Sequence, residues 1–147
     1  MSTPLESSPL SPHDAEIYYH GLVGAPCLAG QSGSDGIQIQ DGPFRYPVQK
    51  YLTDVGNHPI RAVWLEVSRV VLQRLGNLVS AGFQSLSLVG IGNEGEPPKV
   101  TIWIGVRPAC LSMNEGDALA QRIWNEVCET DFPDVQVQFR ESIHVMF

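Results

Sequence analysis

Apolar and polar positions alternate most cleanly along Lys99–Arg107. Val100, Ile102, Ile104 and Val106 fall on one face of an extended strand, and Lys99, Thr101, Trp103, Gly105 and Arg107 on the other. Pro97-Pro98 before the run and Pro108 after it bound the element, because proline has no N–H to give a ladder. The preceding run, Gln84–Ile91, sets Leu86 and Leu88 against Ser85 and Ser87 until Val89 and Ile91 break the alternation. That requires either a bulge or a strand covered on both faces. The turn-forming stretch Gly92–Pro98 joins the two as an antiparallel hairpin. Val135–Arg140, opened by Asp134, is a third strict alternation, and Ile37–Gln40 a shorter one that reads as an edge strand ended by Asp41-Gly42-Pro43.

Two other stretches keep a 3.6-residue period. Ile60, Val63, Trp64, Val67, Val71, Leu75, Leu78 and Val79 predict one amphipathic helix with Pro59 at its first position and Asn57 or His58 at the cap. Gly76 is an internal weak point in that reading, and Gly82 a left-handed stop. Ser112-Met113-Asn114-Glu115 has the form of a capping box, and Leu119, Ala120, Ile123, Trp124, Val127 and Cys128 continue as a second helix that ends before Phe132-Pro133.

The order helix, strand, strand, helix, strand predicts an α+β fold: a two-layer sandwich with a small, mostly antiparallel sheet and two helices on one face. A right-handed crossover over the second helix returns the last strand to the sheet. With Ile37–Gln40 as a first strand the string becomes β-α-β-β-α-β, the ferredoxin-like arrangement. Residues 1–14, with three prolines and four serines, read as a disordered tail. Residues 15–147 read as a single domain whose residues 15–54 form an irregular arm pinned by Tyr18, Leu22, Val23 and Leu28. Trp103, on the polar side of its strand, is expected to lie under this arm.

At 147 residues the chain has the length of one domain. A net charge of −7, with nine Lys and Arg scattered without a run, argues against nucleic acid as a partner, and no basic amphipathic helix marks a membrane surface. No window is apolar enough to span a bilayer, and the first residues lack the charged and apolar regions of a signal peptide, so a cytoplasmic protein is expected. Cys27, Cys110 and Cys128 are odd in number and far apart, which predicts reduced thiols. Ser8-Pro9 and Ser11-Pro12 have the form of proline-directed phosphosites, a form common in any such tail.

Candidate chemistry is sparse. The glycines around Gly24 and Gly30-Gln31-Ser32 lack the lysine of a phosphate loop. The four histidines have no metal-ligand spacing, so neither metal nor cofactor is expected. Cys110 or Cys27 with His58, His20 or His144 would make a nucleophile pair, but no local signature supports one. His58, at a helix start, is the most suggestive side chain, with Arg140 and Glu141 of the last strand as its candidate companions. Glu141 continues the inward parity of Val135, Val137 and Phe139 towards Ile143, Val145 and Phe147. It is expected to be partly buried against His58, Arg61, Arg107 or a locally twisted Arg140.

Val55-Gly56-Asn57-His58-Pro59-Ile60, then Trp103-Ile104-Gly105-Val106-Arg107-Pro108 with Leu111-Ser112, then Arg140-Glu141-Ser142 resemble a family of uncharacterised fungal proteins over roughly Tyr19 to Val145. In longer members, the resemblance implies, this module precedes a degenerate trypsin-like region. It implies no activity for the module. Because acids, bases and nucleophiles are not clustered, the expected function is a non-catalytic interaction or accessory module with a protein partner. The alternative is a small enzyme, a hydrolase, with a site built from His58 and charges of the last strand.

Overall fold

The computed structural model describes residues 10–24, 26–34, 36–40 and 46–141. Ser11 accepts a hydrogen bond from the Asp14 N–H and starts helix α1, Pro12–Ile17, within the segment expected to be tail. The chain then forms β1 (Cys27–Gln31), β2 (Lys50–Thr53), a 3₁₀ turn (Pro59–Val63), α2 (Trp64–Leu75), α3 (Leu78–Ala81), β3 (Phe83–Asn93), β4 (Lys99–Val106), α4 (Met113–Val127) and β5 (Gln136–Glu141). The five strands make one sheet in the order β1-β5-β4-β3-β2.

The β3–β4 hairpin is antiparallel, as its turn chemistry requires, and the β4–α4–β5 crossover sets β5 parallel to β4. The α+β class therefore holds. The ferredoxin-like arrangement does not form, because that fold splits its crossovers with an inserted strand, whereas β4 and β5 are direct neighbours. Ile37–Gln40 does not supply the extra strand. Ile39 makes one isolated bridge to Pro47, and the strand before the helix is instead Lys50–Thr53, paired antiparallel to β3 at the sheet edge. The opposite edge is β1, whose partner β5 lies more than a hundred residues away in sequence: Cys27 sits opposite Glu141 and Leu28 opposite Arg140.

Strand alternation sorts the core into two clusters. Ile102, Ile104, Val106, Val137 and Phe139 pack with Ile60, Val67, Val71 and Leu75 of the first helical segment and with Ala120 and Ile123 of α4. The other sheet face carries Leu28, Ile91 and Trp103, covered by Ala15, Tyr18, Tyr19 and Leu22 of the arm. Val89 packs there as well, so the broken alternation of β3 marks a strand covered on both faces. The register shift in β3 lies at its start, between Phe83 and Ser85. Trp103 is buried beneath the arm, but Val23, expected as one of the arm's pins, is fully exposed.

The first helix is not continuous. Gly76, at φ +56°, ends α2, and the short α3 follows. Val79, beyond that break, is exposed, and so is Val63, which lies in the 3₁₀ turn before α2. Gly82 has φ −163° and is no left-handed stop; a Cβ there would lie 2.6 Å from Cys110 Sγ. At α4 the capping box forms in both directions, Glu115 N–H to Ser112 Oγ at 3.1 Å and Ser112 N–H to Glu115 Oε1 at 2.9 Å. The first turn of α4 meets β1 backbone to backbone: a Cβ on Gly116 would lie 1.8 Å from the Ala29 carbonyl oxygen.

Candidate functional site

His58 stands before Pro59 and caps the 3₁₀ turn: its Nδ1 accepts from the Ile60 N–H at 3.2 Å. An acceptor nitrogen carries no proton, so in the neutral ring the proton is on Nε2, which faces Asp134 Oδ2 at 2.7 Å. The ring also leans on Phe132, with centroids 6.0 Å apart. His58 therefore ties the start of the first helical segment to the loop before β5, with both nitrogens engaged. An open cleft of about 770 Å³ borders this pair, lined in part by Ser32, Lys99, Gln121, Trp124 and Gln136. Three of the polar groups that line it serve the fold. Ser32 Oγ accepts from the Val137 N–H, Trp124 Nε1 donates to the Val135 carbonyl, and Gln136 Nε2 donates to Thr101 Oγ1.

The companions expected for His58 lie elsewhere. Asp134 precedes β5, whereas Arg140 and Glu141 close it, about 20 Å along an extended chain. Glu141 accepts from the Ala109 N–H at 3.1 Å, a main-chain donor in place of the His58, Arg61, Arg107 or Arg140 partner expected for it. Arg107 caps the end of α3 by donating to the Ala81 carbonyl. Arg140 stacks on Trp103, 4.2 Å from the ring centroid, and donates to Ser85 Oγ at 3.1 Å. Burial lowers its pKa, with the Tyr19 hydroxyl acting in the opposite sense. Arg140 and Glu141 are also parted from each other, since adjacent side chains on a strand leave opposite faces.

A different polar cluster does converge, beneath the arm. Trp103 Nε1 donates to the Tyr19 hydroxyl at 3.0 Å, which donates to Gln138 Oε1 at 2.6 Å, and Gln138 Nε2 donates to the Tyr18 hydroxyl at 3.1 Å. The Tyr18 and Tyr19 rings meet edge to face at 5.0 Å, and Lys50 Nζ sits 4.4 Å over the Tyr18 ring while donating to Asn93 Oδ1. Burial, then the neighbouring Tyr18, pushes the Tyr19 phenol well above its ordinary pKa; Trp103 and Arg140 act against that. Sequence reading missed this network because its members come from residues 18–19, 103 and 138. The available signal was that Gln138 and Arg140 share the strand face opposite the apolar one. Two hollows open beside the cluster. One of about 230 Å³ lies at its Lys99 end, and a groove of about 560 Å³ lies between the arm and β2.

The cysteines are poor nucleophiles. Burial, then Glu141, raises the pKa of both Cys27 and Cys110, and burial pushes the Cys128 thiol up to about 12, whereas a reactive thiol needs the opposite shift. All three are unpaired. His144 and Ser142 lie outside the described residues. Among the described residues no group of three His, Cys, Asp or Glu side chains is placed to hold a metal ion, and no helix is long and apolar enough to cross a membrane. Comparison with protein-family models, with curated proteins and with solved structures gave no match.

Proposed function

We propose that the chain is a non-catalytic interaction module that docks a protein partner. The observation that carries this reading is the commitment of His58: its Nδ1 accepts from the Ile60 N–H and its Nε2–H donates to Asp134 Oδ2. A general base needs a nitrogen within reach of the substrate, and this ring has none to offer. The hydrolase alternative also requires Arg140 and Glu141 beside His58, and they are engaged by Ser85 with Trp103, and by Ala109, at the far end of β5. Membership of the fungal family whose motifs the chain resembles, and a cytoplasmic site of action, belong to the same proposal. Three unpaired thiols suit a reducing compartment, and the net charge of −7 disfavours nucleic acid as the partner.

His58→Asn tests the reading, because asparagine is a good cap but cannot act as a base. Purified protein and this variant should both leave p-nitrophenyl esters, phosphates and glycosides at the buffer rate. Turnover by the parent that is lost in His58→Asn would make the chain an enzyme.

A further inference from the structure

The outer face of α2 is not polar throughout. Val67, Val71 and Leu75 bury the inner face against the sheet, but Leu65 is 65% exposed and Leu72 37%. Seven positions apart, close to two turns, these two leucines share one outward stripe with the exposed Arg69 between them. Val63 before α2 and Val79 beyond it are exposed too, so four of the eight large apolar side chains exposed among the described residues lie between positions 63 and 79. Apolar exposure gathered on one element marks an interaction surface. We propose that its occupant is a second copy of this chain, with α2 packed antiparallel against α2 about a twofold axis level with the Val67–Ser68 peptide.

Charge complementarity selects this occupant. Arg61 faces Asp54 and Arg74 pairs with Glu126, so these two arginines are answered within the chain. Glu66 and Arg69, both exposed beside the leucine stripe, are not: among the described residues neither makes an ion pair or a side-chain hydrogen bond. Their order along α2 is self-complementary. Turned end for end, a second α2 brings its Arg69 level with Glu66 and its Glu66 level with Arg69, and the twofold axis closes both ion pairs at once. A parallel copy would set glutamate beside glutamate and arginine beside arginine. The antiparallel register also places Leu65 of each copy about 3 Å along the axis from Leu72 of the other, from a rise of 1.5 Å per residue, so all four leucines are covered. Exposed ion pairs add little affinity but fix orientation, and one helix pair is a small interface. The dimer is therefore a transient one.

This self-association goes beyond the docking of another protein and does not depend on it: turnover lost in His58→Asn would remove the module reading and leave the α2 pair untouched. Sedimentation equilibrium of the full chain, from about 10 μM to about 1 mM, covers association this weak and should show the mass rising towards that of a dimer. Glu66→Arg and Arg69→Glu should each weaken dimerisation at least tenfold. Their equimolar mixture should recover the parent's dimer, because the two altered faces complement each other, and that recovery also shows both variants folded. Leu65→Asp, at the most exposed position of the stripe, should weaken dimerisation at least tenfold as well. A parent that stays monomeric across the range, a dimer that any of the three substitutions leaves unchanged, or two charge variants that fail to combine would each overturn the proposal.

Discussion

Tyr19 shows how much can rest on one hydroxyl. It receives the Trp103 indole N–H and donates to Gln138, so Tyr19→Phe leaves a buried donor and a buried acceptor unmet at about 1–3 kcal/mol, read from a denaturant midpoint at pH 7. Its pKa is raised in the fold, so its contribution is complete below pH about 10, where an unfolded tyrosine ionises, and is lost as pH rises beyond that. Parent stability should fall above pH 10 more steeply than that of Tyr19→Phe. Glu141 bears less. Its carboxylate meets one main-chain N–H rather than a cation, so Glu141→Ala should cost about 1 kcal/mol in a urea titration, not the roughly 3–5 of a broken buried ion pair. The thiols give a third check. Ellman titration in denaturant without reductant should count three. In the native protein Cys128, buried and shifted up to about 12, should react last and only as fast as the chain opens.

Among the elements, those written in local pattern were readable: the β3–β4 hairpin, the β4 alternation with its flanking prolines, and α4 with its capping box. In each the partner or the cap lies within a few residues. β1 and β2 escaped, because five and four residues carry too little periodicity, and each is a strand only by virtue of a neighbour far along the chain. His58 was legible as a cap, but Asp134, 76 residues away, was not. The break at Gly76 was visible only as a weak point, since apolar spacing continues through Leu78 and Val79. The α4–β1 contact was invisible for a related reason: nothing in the sequence says that the Gly30 and Gly116 backbones touch. Gly116→Ala would gain about 1 kcal/mol of helix propensity, yet its Cβ would collide with the Ala29 carbonyl. Thermal unfolding should show a net loss of about 2 kcal/mol or more.

For the whole molecule, the sheet needs a cover on each side, helices on one and the arm on the other. The arm's cover can be removed by truncating the chain from its N-terminal side. Starting it at Val23 removes α1, Tyr18, Tyr19 and Leu22, uncovers Trp103 and Ile91, and should abolish a cooperative transition, because each buried apolar side chain contributes about 1.5–3 kcal/mol. The pairing of β1 with β5 has a further consequence, in time rather than in space. During synthesis β1 leaves the ribosome early, at about five to twenty residues per second, but its strand partner β5 begins at Gln136. For several seconds or more the arm's tyrosines and Leu28 must wait in water, exposed to chaperones, while the hairpin and helices behind them can already collapse. Closing so long a loop is entropically the last and slowest contact to make. The N-terminal arm, first to be made, is thus expected to find its place only after β5 has been made.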